Sequence, residues 1–369
     1  MTLRYRDIQW DGLFPARPPE FNLGAFAPLH RNRNVLITGA GGSIGAALAR
    51  AIFQLGPSAL VLLDSSEQNL YYIDHELAAL AGKTTIAPVL GSAADTSCVA
   101  DIFARYRPQV VYHAAALKHV PLGEKNPFAV VQNNVFGTAA LAKVARDHGA
   151  ERLLMVSTDK SVNPESIMGA SKRLAELLLC TVSTKRTRMT SIRLGNVLGS
   201  EGSVVPLFLK QIAKGGPVTV TDPNIERYFL TMGETVHRVL AAMAECPTEA
   251  AIAVPALNQP VKIADLARYL IAQSSQHNVE IKFTGLRPGD KLQEQFIADD
   301  EVILSETGSI LKWVRGPSPL VLQLETGMVE LDRAMQRRDV AKLLVVLMRL
   351  VPEYRPSSLL RGQLETGRR

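Results

Sequence analysis

A glycine-rich turn between an apolar run and a helical pattern is the sequence feature that most constrains the fold. Residues 34–38 read NVLIT, and three glycines follow at the start of an amphipathic stretch: Gly39, Gly42 and Gly45. In a strand–turn–helix unit, one such glycine makes the tight turn, one lets the backbone approach a pyrophosphate, and one lets helix and strand pack closely. The free N–H groups at the helix start favour phosphate. The pattern therefore predicts dinucleotide binding.

Short β-branched runs continue to alternate with amphipathic stretches along the next 160 residues or so. The predicted strands are 34–38, 59–64, 84–90, 109–114, 151–157 and 188–194. The predicted helices lie near 43–55, 66–81, 97–106, 127–148, 168–183 and 233–245. This alternation is typical of a parallel sheet with crossover helices. We predict an α/β fold with a Rossmann-type doubly wound parallel sheet.

The pattern changes after Gly195, where short pieces are separated by glycine and proline. This change predicts a smaller C-terminal lobe over the carboxyl edge of the sheet, where ligands bind in such folds. We therefore divide the chain into an N-terminal arm (1–33), a dinucleotide-binding domain (34–195, with 230–260 returning to it), a mainly substrate-binding lobe (196–330) and a basic helical tail (331–369).

Asp64 indicates which dinucleotide is bound. It ends the second predicted strand, 19 residues after Gly45, where a carboxylate accepts hydrogen bonds from the adenosine ribose. No Lys or Arg occurs from Ala51 through Gly82 to hold a 2′-phosphate. The sequence therefore favours NAD over NADP.

Composition and charge exclude several classes of protein. Apolar residues make up 47% of the chain and charged residues 21%, as in ordinary globular proteins. Three widely spaced cysteines predict neither a metal site nor a disulfide framework, and they fit a reducing compartment. Residues 331–369 hold nine Lys and Arg against four Asp and Glu, which accounts for most of the net charge of +6. Without an RNA-recognition signature or a basic aromatic stripe, we predict no nucleic-acid partner.

We also predict that the chain is cytoplasmic and has no membrane span. The N-terminus lacks the apolar core of a signal peptide. The most apolar segment of the tail, 343–351, is interrupted by Arg349 and is too short to cross a bilayer.

The chemical cluster follows the fifth predicted strand. The chain there reads STDKSVNP from Ser157, and MGASK from Met168 to Lys172 opens the next helix. Neighbouring Asp159 and Lys160 at a strand's carboxyl end can supply an acid and a base beside the predicted cofactor.

These residues resemble the extended short-chain dehydrogenase/reductase superfamily, which carries TGxxGxxG and YxxxK motifs. The closest resemblance is to its polysaccharide-biosynthesis branch, the UDP-N-acetylglucosamine 4,6-dehydratases. The matching segments, in the same order over about residues 34–297, include VLITGAGGSIG, HAAALKHVPLGEKNP, VSTDKSVNPESIMGASKRLAE, RLGNVLGSEGSVVPLF, ERYFLT and GLRPGDKL. Many members carry a membrane-embedded N-terminal half, and we expect this chain to be a free-standing catalytic part.

The resemblance implies an activity and a set of site residues. The activity is NAD-dependent 4,6-dehydration of a UDP-N-acetylhexosamine such as UDP-GlcNAc, which gives a 4-keto-6-deoxy sugar for polysaccharide biosynthesis. Lys160 would take the C5 proton, and Asp159 would handle the C6 hydroxyl or the C4 proton, with Thr158 beside them. The cofactor residues would be Gly39, Gly42, Ser43, Ile44, Gly45, Asp64, Ser65, Ser92, Ala93, Ala114, Ala115, Ala116 and Lys172; the substrate residues would be Lys118, Asn196, Arg227 and Arg287.

Met168 is the most informative departure from the superfamily, because it stands where YxxxK has its tyrosine. A thioether has no proton to exchange, so either the C4 proton leaves by another route, through Asp159 or a water, or the chain has lost the oxidation chemistry. The resemblance favours the first. A methionine at this position occurs in the membrane-type 4,6-dehydratases. Leu117, Gly123 and Glu201 also depart from the usual pattern, so the sugar or the nucleotide can differ from UDP-GlcNAc.

Two other functions remain open from the sequence. A nucleotide-sugar 4-epimerase shares the glycine turn but needs no C5 base, which would leave Lys160 superfluous. A non-catalytic NAD-binding scaffold would fit Met168 and the basic tail. Members of the superfamily commonly pair through helices that match 127–148 and 168–183, so we also predict a homo-oligomer.

Overall fold

The computed structural model describes residues 3–14, 21–80, 82–256, 259–275, 278–305, 310–317 and 321–366. Its strands are β1 (Asn34–Thr38), β2 (Ala59–Asp64), β3 (Thr85–Leu90), β4 (Val110–His113), β5 (Arg152–Thr158), β6 (Arg188–Leu194), β7 (Asn196–Val197), β8 (Val218–Val220), β9 (Glu226–Arg227), β10 (Phe229–Leu230), β11 (Ile252–Pro255), β12 (Val261–Lys262), β13 (Ile281–Phe283), β14 (Val302–Ser305) and β15 (Leu311–Arg315).

The α-helices are α1 (Ala27–His30), α2 (Ser43–Gln54), α3 (Glu67–Ala78), α4 (Thr96–Tyr106), α5 (Val120–Lys125), α6 (Pro127–Val131), α7 (Gly137–Asp147), α8 (Ile167–Val182), α9 (Val204–Ala213), α10 (Met232–Glu245), α11 (Ile263–Gln273), α12 (Val321–Gln336), α13 (Val340–Leu350) and α14 (Ser358–Thr366). The six predicted strands and six predicted helices are all confirmed. The helix predicted over 127–148 is formed by α6, a π-helical turn (Gln132–Phe136) and α7.

The central sheet is the predicted doubly wound parallel sheet. Within the described ranges it has nine strands in the order β14-β15-β11-β6-β5-β4-β1-β2-β3. β1 to β6 and β11 run parallel, and β15 is antiparallel to both of its neighbours. Because the strand order reverses between β1 and β4, a crevice opens at their carboxyl ends, where ligands bind in such sheets.

Both faces of the sheet are buried under helices, as near-continuous apolar strands require. Val35 and Ile37 of β1 lie in one apolar cluster with residues of α2 and α10. Leu36, between them, lies in the opposite cluster with residues of α4 and α7. Alternate side chains of one strand therefore anchor the two helical layers.

A smaller lobe packs around short strand pairs after β6. These pairs are β7 with β10, β9 with β12, and β8 with β13. Residues of α9 and α11 form its apolar cluster, which Ile8 of the N-terminal arm joins. Other parts of the segment after residue 195 belong to the large sheet, since β11, β14 and β15 are strands of it. The domain boundaries given above stay a prediction.

The C-terminal helices pack against the body of the protein. Leu331 of α12 and Leu347 of α13 are fully buried in one cluster with Val131 of α6 and Leu174 of α8. The helices α6 and α8 belong to the segments predicted to pair two subunits, and the chain's own C-terminal helices cover them. The homo-oligomer stays a prediction. No helix in the described ranges is long and apolar enough to cross a membrane.

Candidate active site

The glycine turn between β1 and α2 has a backbone that excludes side chains. Gly39 has φ +66°, in the left-handed region. A Cβ on Gly45 would lie 1.9 Å from the Gly39 carbonyl oxygen. Gly42 precedes the first turn of α2, so the N–H groups of Ser43 and Ile44 lie at the helix start. This cradle fits a pyrophosphate, which needs close backbone approach and free N–H donors.

Asp64 at the end of β2 holds this turn in place. Its Oδ2 accepts a hydrogen bond from the Gly41 N–H, and its Oδ1 accepts one from the Ser66 N–H, both at 2.8 Å. The sequence did not reveal this second task. A carboxylate oxygen accepts more than one hydrogen bond, so Asp64 can still bind ribose hydroxyls. Ser65 is exposed beside it.

The remaining predicted cofactor residues lie after β3 and β4, at the same edge of the sheet. The Ser92 hydroxyl accepts a hydrogen bond from the Ala94 N–H at 3.1 Å, and Ala93 is buried. Ala114, Ala115 and Ala116 follow β4 and are partly exposed. Their small side chains leave room for a ligand beside the glycine turn.

His113 at the end of β4 is a packed, neutral histidine. Thr138 Oγ1 donates to the Asn134 carbonyl at 2.7 Å, so it accepts a hydrogen bond from His113 Nε2 at 3.0 Å. Nδ1 then accepts from Thr38 Oγ1 at 2.7 Å. Burial, with the nearby charge of Lys172, lowers the pKa of His113 to about 3. This residue therefore takes no part in proton transfer near neutral pH.

Asp159 and Lys160 form a hydrogen-bonded ion pair at the carboxyl end of β5. Lys160 Nζ donates to Asp159 Oδ1 at 2.9 Å, and Thr158 Oγ1 donates to the same oxygen at 2.9 Å. Asp159 is 0% exposed, and its other oxygen, Oδ2, has no hydrogen-bond partner. A buried carboxylate oxygen without a partner is costly unless a ligand group satisfies it. The pair thus offers one ammonium group and one free acceptor side by side.

Glu294 belongs to this cluster and was missed in the sequence. Its side chain is 2% exposed, and its Oε1 lies 3.5 Å from Lys160 Nζ and 3.6 Å from Arg227 Nη2. Its Oε2 lies 3.5 Å from Lys291 Nζ. Glu294 stands two residues beyond the GLRPGDKL segment, and that proximity was the only sequence signal. Nothing in the pattern shows that the chain turns back onto Lys160.

The charge state of Lys160 follows from these neighbours. Burial alone would lower its pKa, but the Asp159 and Glu294 carboxylates outweigh it and raise the pKa above the usual range. In the ligand-free protein Lys160 is therefore an ammonium group.

The helix α8 carries Met168 and Lys172, four residues apart. Met168 is buried in the apolar cluster that includes residues of α6 and the C-terminal helices. Lys172 is 4% exposed, and burial lowers its pKa to about 8 although Glu176 partly opposes the shift. Of these two side chains, Lys172 can therefore release a proton near pH 8, and Met168 has no proton to exchange.

The start of α8 is fixed by a buried carboxylate from α5. Glu124 Oε1 accepts a hydrogen bond from the Ile167 N–H at 2.7 Å, and its other oxygen accepts one from the Ser357 hydroxyl. Arg173 Nε donates to Glu353 at 2.8 Å. The segment between α13 and α14 therefore helps to hold the helix that carries Met168 and Lys172.

Two of the predicted substrate residues, Asn196 and Arg227, lie beside Lys160 or its neighbour Glu294, and a third, Lys118, contacts the smaller lobe. Lys160 Nζ lies 3.5 Å from Asn196 Oδ1. The Arg227 guanidinium donates to backbone carbonyls at 291 and 292 and faces Glu294. Lys118 Nζ donates to the Glu201 carbonyl at 2.9 Å, and the Glu201 N–H donates to Ser43 Oγ at 3.0 Å. Glu201 thus connects the smaller lobe to Lys118 and to the glycine turn.

Arg287 is not part of this cluster. Its side chain is 55% exposed and pairs with Asp290 at 2.8 Å. It lines an open cavity of about 270 Å³ together with Arg355 and Arg361. Its role toward a substrate stays a prediction.

Comparison with known proteins gives a family. The model of a family described as "Polysaccharide biosynthesis protein" matches residues 35–313 of the chain. The chain belongs to the polysaccharide biosynthesis protein family. Capsular polysaccharide biosynthesis protein CapD of Staphylococcus aureus is 38% identical over 80% of this chain, which spans 50% of the length of CapD. A UDP-N-acetylglucosamine 4,6-dehydratase (inverting) of Campylobacter jejuni is 30% identical over 74% of this chain and 80% of its own length.

Solved structures share the fold of this family member. Pen from Bacillus thuringiensis superposes with a TM-score of 0.70 at 27% identity, covering 79% of this chain and 88% of Pen. DesIV, a dTDP-glucose 4,6-dehydratase of Streptomyces venezuelae, was solved with NAD bound. It superposes with a TM-score of 0.62 at 20% identity, covering 72% of this chain and 88% of DesIV. These likenesses agree with the Rossmann-type architecture derived above.

Proposed function

We propose that this chain binds NAD and catalyses the 4,6-dehydration of a nucleotide-activated sugar, with UDP-GlcNAc as the first candidate. The observation that carries the proposal is the Asp159–Lys160 pair. Lys160 Nζ donates to Asp159 Oδ1 at 2.9 Å, and the other oxygen of the same buried carboxylate, Oδ2, has no partner. Arg227 and Asn196 lie beside them. Similarity to the Campylobacter 4,6-dehydratase supports the reaction type.

The residues of the glycine turn and its surroundings would hold NAD. The N–H groups of Ser43 and Ile44 would face the pyrophosphate, Asp64 the adenosine ribose, and Lys172 the nicotinamide ribose. When bound, NAD supplies the reversible acceptance of a hydride, taken from C4 of the sugar and returned to C6.

Asp159 and Lys160 would move the protons of this reaction. Asp159 Oδ2 accepts the proton of the C4 hydroxyl as C4 is oxidised, which makes Asp159 neutral. Lys160, as an amine, takes the C5 proton, and Asp159 gives its own proton to the C6 hydroxyl, which leaves as water. Lys160 then returns the proton that it took from C5 and is again an amine, while Asp159 is again a carboxylate. This scheme needs no proton from residue 168, in agreement with a methionine there.

Because Lys160 is an ammonium group in the ligand-free protein, this scheme requires it to release that proton to solvent before C5 is attacked, and it takes a proton back from solvent after the product leaves. Protonation of Asp159 removes one of the two negative charges beside Lys160, which lowers the pKa of its ammonium group. Proton transfer to Asp159 in the first step would therefore prepare Lys160 for the second.

The substrate would be held by Arg227, Asn196, Lys118 and Arg287. A guanidinium group presents donors that match phosphate oxygens, and Arg227 is already fixed by backbone carbonyls in a buried position. Polysaccharide biosynthesis, named in the family description and in CapD, supports a nucleotide sugar as the ligand class.

One experiment tests the proposal against its alternatives. The purified chain is incubated with NAD and UDP-GlcNAc in deuterated water and followed by NMR. A 4-keto-6-deoxy product with deuterium at C5 supports the dehydratase. UDP-GalNAc without deuterium would instead show a 4-epimerase, and binding without any product would show a non-catalytic NAD-binding protein.

A variant then tests the assigned base. Lys160→Ala should lose turnover and keep NAD binding, because Lys160 lies outside the glycine turn. Preserved turnover in Lys160→Ala would remove Lys160 from the mechanism.

A further inference from the structure

We propose that Glu294 is a positioning residue that sets the proton affinity of Lys160. Its use in catalysis rests on the dehydratase function proposed above. Glu294 is in neither the β5 motif nor the glycine turn, and it reaches Lys160 only because the chain after GLRPGDKL folds back across the site.

The geometry places Glu294 between two cations with different tasks. Its Oε1 lies 3.5 Å from Lys160 Nζ and 3.6 Å from Arg227 Nη2, and the side chain is 2% exposed. At such distances and with little water between, unlike charges interact strongly. Lys291 Nζ, 3.5 Å from the other oxygen, adds a third positive neighbour. Three cationic side chains therefore lie against the Glu294 side chain.

Burial disfavours the ammonium form of Lys160, and the neighbouring groups act on top of it. Asp159 and Glu294 favour the ammonium form, Arg227 opposes it through its own positive charge, and Asn196 contributes a neutral amide oxygen. In the proposed reaction Asp159 becomes neutral when it takes the C4 proton. Among the described residues, Glu294 is then the remaining carboxylate within 4 Å of Lys160 Nζ.

This arrangement gives Glu294 a function that Asp159 lacks. Asp159 changes its charge during the reaction, whereas Glu294 keeps its charge throughout. The constant charge of Glu294 raises the proton affinity of Lys160, which favours transfer of the C5 proton to Lys160 until that proton is returned. Because Arg227 and Lys291 also contact the Glu294 carboxylate, it stabilises the ammonium form of Lys160 less strongly. Lys160 can therefore still become an amine. The balance depends on one buried charge, which a single substitution removes.

The test is Glu294→Gln, which keeps the shape and removes the charge. The midpoint for titration of Lys160 is measured by NMR on protein with 13C-labelled lysine side chains, and the resonance is assigned by its absence from Lys160→Arg. We expect the midpoint to fall by about one pH unit or more, since an ammonium group without its carboxylate releases its proton more easily. Glu165→Gln, an exposed charge on the loop before α8, is the matched control and should leave the midpoint unchanged.

Glu294→Asp is the control that separates loss of the charge from a change in packing. It keeps the charge, so it should return the midpoint toward that of the wild type, whereas a loss of packing would affect both variants alike. Melting temperatures of all variants show whether each is folded. An unchanged midpoint in folded Glu294→Gln would overturn the proposal.

The activity of the same variants separates this proposal from the dehydratase function. With UDP-GlcNAc, the acidic limb of kcat against pH should move to lower pH in Glu294→Gln, in step with the NMR midpoint. A shifted midpoint with an unmoved limb would contradict a role for Glu294 in catalysis. A wild-type chain that forms no keto sugar would refute the dehydratase function alone, because the NMR titration needs no turnover.

Discussion

Replacing Glu176 by glutamine tests whether the active-site strand rests on a buried charge network. Glu176 of α8 is 0% exposed, and its Oε1 accepts hydrogen bonds from the hydroxyls of Ser157 at 2.6 Å and Ser161 at 2.8 Å. These serines lie on either side of the Asp159–Lys160 pair. Arg193 of β6, also 0% exposed, donates to Glu176 at 2.9 Å.

The expected loss of stability can be worked from the pKa of this carboxyl. Burial alone would raise its pKa, but the charge and hydrogen bonds of Arg193 lower it from 4.5 to about 2. By linkage, this difference corresponds to about 3 kcal/mol of folding free energy at neutral pH. Breaking a buried ion pair costs about 3–5 kcal/mol. We expect the lower end for Glu176→Gln, because Arg193 keeps two hydrogen bonds to Glu301.

The pH dependence follows from the sign of the shift. Because the pKa is lower in the folded chain, the contribution is fully present above about pH 4.5 and is lost as the pH falls toward 2. The difference between wild type and Glu176→Gln should therefore be about 3 kcal/mol at pH 7 and roughly half of that by pH 3. The free energy of unfolding is measured by urea titration followed by tryptophan fluorescence.

Two results would refute this reasoning. A loss below about 1 kcal/mol at pH 7 would show that the network does not stabilise the fold. A difference that stays constant from pH 7 to pH 3 would show that Glu176 is not held ionised by its arginine partners. Glu325→Gln, an exposed carboxylate on α12, is the control and should change stability by less than about 0.5 kcal/mol.

Three further predictions concern the cofactor site and the C-terminal helices. Gly45→Ala should abolish NAD binding, measured by calorimetry, because the new Cβ meets a carbonyl oxygen at 1.9 Å; Gly233→Ala, where nothing lies within 4 Å, should bind normally. NAD affinity should fall as the pH rises through about 8, since Lys172 then loses its charge, and Lys172→Met should bind more weakly without this pH dependence. Leu331→Ala in α12 should lower the free energy of unfolding by about 2–5 kcal/mol, as for other buried leucines. Val329→Ala, on the exposed face of the same helix, should have little effect, and equal effects of the two would contradict packing of α12 on the body.

The sheet and the glycine turn could be predicted from local patterns. Strand 59–64 is a nearly continuous apolar run between two amphipathic stretches, so both its type and its bounds are visible in the sequence. The adjacent Asp159 and Lys160 are neighbours in the chain and needed no fold to bring them together. The roles given to individual site residues stay predictions.

Other features depend on contacts between segments that are far apart in the chain. The sequence predicted a basic tail, and nothing in it showed that Ser357 bonds Glu124 or that α12 and α13 cover α6 and α8. Arg287, placed with the substrate residues by its motif, lines a cavity with Arg355 and Arg361, and its role toward a substrate stays a prediction. Charge and motif identify a residue as a candidate, but its partners depend on how loops cross the sheet.

The sequence alone determined that this chain forms a doubly wound sheet with a dinucleotide cradle, because backbone conformation and strand burial are written in short stretches of neighbouring residues. Only the tertiary structure decided which charges surround Lys160. Glu294 lies 134 positions further along the chain, and its 3.5 Å approach to Lys160 results from packing of the smaller lobe against the edge of the sheet. The electrostatic balance of the active site is therefore a property of the folded chain, since it depends on distances that no local pattern encodes.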